Sequence, residues 1–415
     1  MQTAIPPQPP MPQPPMMGLV PFLRMSLAGT DMTPVGKTLL TRAERNAHEA
    51  ITMMDLSIYM QCIGQHDLGI TIQHQALQLQ HTYHLPARLQ PAGLRLLVLM
   101  AAGDLSANMP VDCLLENSDV DLDLFYVSPQ SLMEAVLPEH DVLLVAIGES
   151  DSSQILLNLL EPILADWPRP VLNVPSAIPL VARDTASKLL QGVTGLLMPP
   201  TLRVMRSDLA PVASASRPAS DLLGDHDFPL IIRPVGSHAG NDLQKINHAQ
   251  ELSGYLNSVK ADEFFISAFI DYSSDDSQFR KYRIALIDGV PYACHMAISS
   301  HWMVHYVNAG MYQDAAKRAE ERDFMEHFDA FAQRHAVALH AIYQRTRLEY
   351  VCLDCAETRD GRLLVFEIDH AMVVHALDPA SLFPYKQVHM QKVLDAFRKL
   401  LFRSAGLELP QGARK

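Results

Sequence analysis

The chain has 415 residues, of which 48% are apolar and 19% are charged, a composition typical of folded globular proteins. Its 33 Lys and Arg residues stand against 46 Asp and Glu residues, so the net charge is −13. This acidic balance argues against nucleic acid as a partner. No apolar run approaches the roughly 18–20 residues that span a bilayer, so we expect no membrane partner either.

The beginning of the chain is rich in proline. Residues 1–18 read MQTAIPPQPPMPQPPMMG, which lacks the basic start of a signal peptide and predicts a disordered tail. The five cysteines are scattered along the sequence, which favours reduced thiols over a disulfide framework. We therefore expect a cytoplasmic protein.

Residues 36–90 have the apolar spacing of two helices on either side of a turn at Gly64. The stripes begin with Ala47, Ile51, Met54 and Leu56, and with Leu68, Ile72, Ala76 and Leu77. The order of Gly64, Ala76 and Tyr83 resembles a single tetratricopeptide-type repeat. One such repeat cannot bury its own apolar face, so two interpretations stay open: a hairpin packed on the next domain, or a docking module for a peptide or protein.

Residues 91–182 alternate between apolar strands and helices. The strands are LRLLVLMA, DLDLFYV, HDVLLVAIGES and PRPVLNVP, and SQILLNLLEPILADW is the clearest helix. Continuous apolar runs predict a parallel sheet that is covered on both faces. No GxGxxG follows the first strand, which argues against a dinucleotide-binding domain.

The pattern changes after Ala182, where we expect two α+β subdomains, 183–270 and 271–405. RDTASKLL predicts a short helix, FPLIIRP predicts a strand, and strands and hairpins dominate up to about Ile298. The segment EERDFMEHFDAFAQRHAVALHAIYQRT predicts one long amphipathic helix, and HMQKVLDAFRKLLFRSA predicts a closing helix. The predicted fold class is thus α/β combined with α+β, after a helical N-terminal hairpin.

Three carboxylates lie on a predicted hairpin in YVCLDCAETRDGRLLVFEIDH. Asp360-Gly361 between two apolar runs is a strong turn signal. Glu367 and Asp369 are two positions apart and therefore share a face, and pairing across the hairpin brings Asp354 beside them. Clustered carboxylates repel one another unless a cation lies between them, and Mg²⁺ prefers oxygen ligands. We predict that these three residues bind a metal ion.

Cationic residues precede the hairpin in positions that could meet phosphates. Lys188 and Arg233 are candidates to bind phosphate oxygens, and Arg283 is a candidate to stabilise a transferring phosphoryl group. We expect Lys281 to face away from Arg280 and Arg283, although a solvated strand end explains Arg280 and Lys281 equally well. The loop Gly236-Ser237-His238-Ala239-Gly240 could close its backbone over phosphates or be a plain surface turn.

Taken together, these segments resemble the ATP-grasp ligases, the group that contains glutathione synthetase, D-alanine–D-alanine ligase and the ribosomal-protein glutamate ligases. The resemblance covers about residues 91–403. It rests on RDTASKLL, FPLIIRP, KYRIALIDGVPYA, HYVNAG and the hairpin CLDC…LLVFEIDH, which occur in the order of the family. It implies an ATP-grasp fold, in which 91–182 is the pre-ATP-grasp domain.

The resemblance also implies the chemistry. ATP would convert a carboxylate into an acyl phosphate, and an amine would displace the phosphate. It implies that the protein binds ATP together with Mg²⁺, as two ions, or with Mn²⁺ in its place. It also implies that Asn308 is catalytic, that Phe269 binds adenine and that Asp271 binds the ribose. The substrates could be small molecules, peptides or groups presented by another protein. The protein could also be a homodimer. Three departures from the family pattern are Arg233 for a lysine, Ala268 for a glutamate and Asp369 for an asparagine.

Two other functions compete with ligation. A nucleotide-binding scaffold without activity would use the helical hairpin as its interaction surface. A phosphotransferase on the same fold would pass phosphate to a hydroxyl or a histidine. His301 and His305 could line the pocket for the acceptor substrate, or be packed histidines with no chemical role.

Overall fold

The structure is a computed structural model that describes residues 15–46, 48–134, 136–237 and 240–410. Its α-helices are α1 (Val20–Leu27), α2 (Thr33–Arg45), α3 (Ala50–Cys62), α4 (His66–Leu79), α5 (Val111–Leu114), α6 (Pro129–Glu134), α7 (Gln154–Ala165), α8 (Arg183–Leu189), α9 (Arg206–Ala213), α10 (Ser220–Leu223), α11 (Ala249–Ser258), α12 (Ala315–Glu326), α13 (Phe328–Arg334), α14 (Ala336–Thr346) and α15 (Pro384–Ser404). Residues 1–14 of the predicted tail lie outside the described part of the chain.

The strands form three sheets. They are β1 (Thr82–Leu85), β2 (Leu94–Met100), β3 (Val120–Tyr126), β4 (Val142–Val145), β5 (Val171–Leu172), β6 (Leu196–Leu197), β7 (Thr201–Met205), β8 (Leu230–Pro234), β9 (Gln244–Ile246), β10 (Glu263–Ala268), β11 (Phe279–Ile287), β12 (Val290–Ser299), β13 (Tyr350–Glu357) and β14 (Leu363–Asp369). The orders are β1-β3-β2-β4-β5 in the first sheet, β7-β10-β8-β9 in the middle sheet and β12-β11-β13-β14-β6 in the third.

The first sheet contains the four strands predicted from continuous apolar runs. β2, β3, β4 and β5 run parallel to one another. The strand β1 joins the edge antiparallel to β3, in a stretch that the sequence assigned to the helical region. The predicted combination of a parallel α/β unit with α+β units is confirmed.

The N-terminal helices pack on this sheet. Eleven of the thirteen residues of α3 are buried, because α1, α2 and α4 surround it and its Met54 belongs to the same core as Leu97 of β2 and Leu353 of β13. A helix that is buried on nearly every side, as α3 is, has no free face for docking a partner. The helical hairpin is therefore part of the main core, and the tetratricopeptide interpretation is not confirmed.

Two carboxylates, the buried Asp55 and the half-buried Asp112, hold the start of the described chain. Asp55 of α3 accepts hydrogen bonds from the backbone N–H groups of Met17, at 3.0 Å, and Gly18, at 3.2 Å. Asp112 of α5 accepts from Leu19, at 2.8 Å, and Val20, at 3.3 Å. These bonds replace the water that the four N–H groups would otherwise need.

The middle sheet has a hydrophobic core of its own. Leu209 of α9, Ile232 of β8 and Phe264 of β10 are buried there together with residues of α10 and α11. This core is distinct from the main one, which joins the N-terminal helices to the first and third sheets. The helices α9 and α10 lie in the stretch before FPLIIRP that the sequence left without elements, and α11 is the one helix among the strands β8 to β12.

The third sheet carries the predicted hairpin. β13 and β14 pair antiparallel, and Gly361 in their turn has a φ of 80°, a conformation that glycine adopts without strain. The long helix predicted before this hairpin is instead three helices, α12, α13 and α14, with breaks at His327 and His335. His335, at the second break, is buried and contacts Glu357 at 2.8 Å. Among the described residues, no helix has the length and apolar character needed to cross a membrane.

Candidate functional site

A cavity of about 280 Å³, which we call the main cleft, lies between the middle and third sheets. One end is apolar, with walls formed by Met198, Ile231, Phe269 and Trp302, among others. The other end is charged, and its lining side chains are Arg183, Arg233, Lys281, Arg283, Asp354 and Glu367. The cleft therefore suits a ligand with an apolar ring system at one end and negative charge at the other.

The charged end begins on β11. Arg283 lies directly opposite Asp354 of β13, which in turn lies opposite Glu367 of β14. The Nε atom of Arg283 donates to Asp354 Oδ1 at 2.8 Å, and its Nη2 donates to Oδ2 at 3.0 Å. Lys281 Nζ donates to the same Oδ2 at 2.7 Å. The prediction that Lys281 faces away from Arg283 was wrong, since residues two apart on a strand share a face.

These cations determine the charge state of Asp354. Burial by itself would raise the pKa of Asp354, but the charges of Arg283 and Lys281 outweigh burial and hold that pKa well below its usual range. Arg280, one residue before Lys281, points to the other face and pairs with Asp276 and Glu320. Arg280 is thus paired with carboxylates on the face away from the cleft, whereas Arg283 faces the cleft.

Glu367 and Asp369 face the cleft region from β14. Glu367 pairs with Arg183, the first residue of α8. Burial would raise the pKa of Glu367, but the charge of Arg183 outweighs this effect and lowers it. Asp369 Oδ1 accepts the N–H of Ala371 at 2.9 Å. The side chains of Glu367 and Asp369 are 33% and 28% exposed, so both retain oxygens that a ligand could reach.

Arg233 contributes a second arginine to the charged end. Its Nε donates to Ser237 Oγ at 3.1 Å, and its Nη2 donates to the carbonyl oxygen of the same residue. Burial, together with the nearby charge of Arg183, lowers the pKa of Arg233 to about 10. In the described part of the chain Arg233 has no carboxylate at ion-pair distance. A buried arginine without a counter-ion favours an anionic ligand.

The loop after β8 closes on the segment that follows β12. Gly240 lines the main cleft with a φ of 76°, and a Cβ added there would lie 2.5 Å from His305 Nε2. Glycine is thus required at this position by both conformation and space. His305 also lines the cleft, whereas His301 is exposed.

A second cavity of about 310 Å³, the side cavity, shares Arg183, Arg233 and Glu367 with the main cleft. It is also lined by Gly236, Ser237 and Asp369, and by the loop Glu149–Ser152 at the carboxyl end of β4. Burial, together with the charges of Asp369, Asp151 and Asp184, raises the pKa of Glu149 to about 7. A second, more acidic space thus adjoins the charged end of the cleft.

Most of the predicted site residues lie around these two cavities. The structure brings together Arg233, Gly236, Ser237, Gly240, Phe269, Arg283, Asp354, Glu367 and Asp369. The amide of Phe269 donates to Pro229 O at 3.0 Å, so this N–H group is already paired within the protein. His238 lies outside the described residues.

Three predicted residues lie outside both cavities. Lys188 has a side chain that is 68% exposed and pairs with Asp184 at 3.5 Å. Asp271 is exposed and accepts the N–H of Ser273 at 2.9 Å. Asn308 is exposed, and its Oδ1 accepts the N–H of His305 at 3.0 Å. Their assignment to ATP binding or catalysis remains a prediction without support from this geometry.

Sequence reasoning missed three charged residues of the site. Arg183 lies in the same short motif as Lys188, but five residues along a helix turn the side chain by about 140°, so only one of the two faces the cleft. Lys281 could have been found from its alternation with Arg283. Glu149 follows a predicted strand, and the carboxyl end of a parallel strand is where ligands of such sheets bind.

The carboxylates fit a divalent ion only in part. Within the described ranges no three His, Cys, Asp or Glu side chains come close enough to hold an ion by themselves. Mg²⁺, however, usually keeps several waters and takes one or two carboxylates together with substrate phosphates. Glu367 and Asp369 fit that pattern, whereas both oxygens of Asp354 already accept bonds from cations.

Comparison with known proteins gives similarity to solved structures alone: no known family and no curated protein matches the chain. D-alanine–D-alanine ligase from Bacillus anthracis, solved with ATP, is 16% identical, with 77% of this chain and 100% of that chain covered and a TM-score of 0.46. The RimK domain ATP-grasp protein from Sphaerobacter thermophilus is 13% identical over 74% of this chain and 99% of that chain, with a TM-score of 0.41.

A third similar structure is the ATP-grasp ligase PsnB, solved with a precursor variant, Mg and ADP. It is 15% identical, covers 74% of this chain and 98% of that chain, and has a TM-score of 0.40. All three belong to the group that the sequence resemblance names. The identities and TM-scores are low, so the proposed function depends on the residues of this chain.

Proposed function

We propose that the chain is an ATP-dependent ligase that activates a carboxylate as an acyl phosphate and couples it to an amine. The observation that carries the proposal is the polarity of the main cleft. Its apolar end contains Phe269 and Trp302, and its charged end contains four cations, Arg183, Arg233, Lys281 and Arg283. ATP has the same polarity, with a purine at one end and a triphosphate at the other.

The apolar end would hold the purine. Trp302 meets Phe269 edge to face, with ring centroids 5.8 Å apart, and Tyr272 donates its hydroxyl hydrogen to the carbonyl oxygen of Trp302. These contacts fix the two rings before a ligand arrives, which lowers the entropy cost of binding.

The charged end would hold the triphosphate and support two steps. An oxygen of the substrate carboxylate attacks the γ-phosphorus, the bond from that phosphorus to the bridging oxygen breaks, and ADP leaves. The amine nitrogen then attacks the acyl carbon, the carbon–oxygen bond to phosphate breaks, and phosphate leaves as the nitrogen loses a proton. Arg283 and Lys281 would stabilise the negative charge that develops on the oxygens in both steps.

A bound Mg²⁺ would neutralise phosphate charge, and Glu367 and Asp369 are the residues that would hold it. The acidic side cavity adjoins the same end of the cleft, so the amine substrate, which is a cation in water, would enter there. Amino acids, peptides and protein-presented groups all meet the chemical requirement for a carboxylate and an amine.

The Glu367→Gln variant tests this function. We expect Mg²⁺-ATP at 100 times its dissociation constant to stabilise the wild type by about 2.7 kcal/mol, which raises the melting temperature of a chain of this length by roughly 3 °C. Glu367→Gln should lose most of that shift, and should lose ADP release in a screen of amino acids and peptides. Both are measured by thermal melts and by a coupled ADP assay.

The control is Asp360→Asn, at the exposed turn of the same hairpin. It should shift with Mg²⁺-ATP as the wild type does. The proposed function is wrong if saturating Mg²⁺-ATP does not shift the wild type, or if Glu367→Gln releases ADP at the wild-type rate.

A further inference from the structure

Asp354 differs from the other two carboxylates of the hairpin in its burial and in its partners. It is 3% exposed, whereas the Glu367 and Asp369 side chains are 33% and 28% exposed. Its two oxygens accept three hydrogen bonds, one from Lys281 and two from Arg283. All three are charge-assisted, which is the stronger class of hydrogen bond.

Lys281 and Arg283 are held by Asp354, but only some of their N–H groups bind it. Arg283 has five N–H donors, of which two bind Asp354 and one binds the carbonyl oxygen of Val373, at 3.0 Å. Lys281 has three, of which one binds Asp354. Within the described ranges, two N–H groups of each cation therefore remain for a ligand, on side chains that line the main cleft.

A divalent ion is poorly placed at Asp354. An ion there would lie beside the positive charges of Lys281 and Arg283 and would be repelled by both. Coordination would also break at least one bond to Lys281 or Arg283. Neither obstacle applies to Asp369, whose Oδ1 accepts a neutral backbone N–H.

We propose that Asp354 is a positioning residue that holds Lys281 and Arg283 side by side for the phosphates, and that Glu367 and Asp369 bind the divalent ion without it. This inference rests on the proposed function, because it assigns parts of the same ATP site. It replaces the three-carboxylate metal site that the sequence predicts.

The test measures metal binding and nucleotide binding separately, with Mn²⁺ as the probe. Bound Mn²⁺ is followed by electron paramagnetic resonance at ADP concentrations that saturate each protein, for wild type, Asp354→Asn, Glu367→Gln and Asp369→Asn. We expect the last two to weaken Mn²⁺ binding by about tenfold or more, as loss of a ligand does. Asp354→Asn should stay within about threefold of wild type.

Nucleotide binding without metal is measured by calorimetry with ATP in EDTA. Asp354→Asn should weaken it about tenfold, because the two cations repel each other once the carboxylate is neutral, and a displaced charge-assisted bond costs roughly 1.5 kcal/mol. Loss of Mn²⁺ binding in Asp354→Asn equal to that in Glu367→Gln overturns the inference, and so does unchanged metal-free ATP binding.

Lys281→Gln covers the case in which Asp354→Asn does not fold, because it keeps the carboxylate and its two bonds to Arg283. We expect Mn²⁺ affinity within about threefold of wild type and metal-free ATP binding weakened about tenfold. Tighter Mn²⁺ binding in this variant would mean that Asp354 binds the metal ion once Lys281 no longer competes for its oxygens. That result overturns the inference. Failure of the wild type to bind Mn²⁺-ADP overturns the proposed function itself, which separates the two failures.

Discussion

Carboxylates inside the fold have different hydrogen-bond partners in two regions of this molecule. In the N-terminal region, Asp55 and Asp112 accept backbone N–H groups of residues 17–20. In the main cleft, Asp354 accepts from two charged side chains. Backbone donors are fully used and fix the chain, whereas side-chain cations keep donors for a ligand. The kind of partner, more than burial, therefore separates a structural carboxylate from one that serves a site.

The largest effect should come from the cleft. Arg283→Met is expected to lower ADP release by about 10³-fold, since it removes a donor to the developing negative charge, while Arg280→Met should stay within about threefold. The two arginines lie on one strand, but Arg280 pairs with Asp276 and Glu320. Steady-state assays of both variants, with the substrates found in the screen, make the comparison. Equal losses would show that the cleft does not use Arg283 for chemistry.

In the N-terminal region the effect should be on stability alone. Asp112→Ala leaves the N–H groups of Leu19 and Val20 without an acceptor, which should cost about 2–4 kcal/mol of unfolding free energy. Chemical unfolding curves measure this cost. Asp67→Ala, at an exposed position in α4, is the control and should cost less than about 1 kcal/mol. If Asp112→Ala also changes the Mg²⁺-ATP shift, the two regions are not separate in function.

The stability of the protein should depend on pH through the titration of Asp55. Burial outweighs the backbone hydrogen bonds of Met17 and Gly18 and the charge of Arg42, and raises the pKa of Asp55 from 3.8 to about 7. A raised pKa means that the folded state binds the proton more tightly than the unfolded chain. Its contribution is thus full below about pH 4 and is lost as the pH rises through 7, by about 4 kcal/mol in all.

Melting temperatures of wild type and Asp55→Asn between pH 5 and pH 8 test this sign. The stability of the wild type relative to the variant should fall as the pH rises, because the variant cannot titrate at this position. Asp67→Asn, as a control, should run parallel to the wild type. Parallel curves for Asp55→Asn as well would show that the backbone donors keep Asp55 ionised throughout.

The smallest effect should come from Gly18, which lies between the two N-terminal carboxylates. It has a φ of 71°, and a Cβ there would lie 3.1 Å from Asp112 Oδ2 and from Leu85. Gly18→Ala should cost about 1–2 kcal/mol from conformation, plus the displacement of its neighbours. Gly64→Ala shares the positive φ but meets nothing within 4 Å, so unfolding curves of the two variants isolate the contact. Equal losses of unfolding free energy in the two variants would mean that the Asp112 side chain moves away from the added Cβ without cost.

Local patterns predicted the part of the site that is built locally. The hairpin with Asp354, Glu367 and Asp369 followed from an Asp-Gly turn and a two-residue period, and the strands of the first sheet followed from their apolar runs. Lys281 was misplaced because Arg280 and Arg283, three apart, were put on one face. The period itself puts Lys281 with Arg283.

Other features depend on contacts between distant segments. The buried contact of His335 with Glu357 accompanies a helix break that no apolar stripe reveals. The pairing of Arg183 with Glu367 joins residues 184 positions apart, so the choice of Arg183 over Lys188 required the packed fold. The role of Asp354 likewise depends on which cations the neighbouring strand presents.

The separate core of the middle sheet also affects how the protein unfolds. A unit with its own hydrophobic core can lose its structure while the rest of the chain stays folded, so a single two-state transition is not expected. A nucleotide in the main cleft would touch both units and would couple their unfolding. The melting curve should then change in width as well as in midpoint, since cooperativity between the two cores would depend on the ligand that joins them.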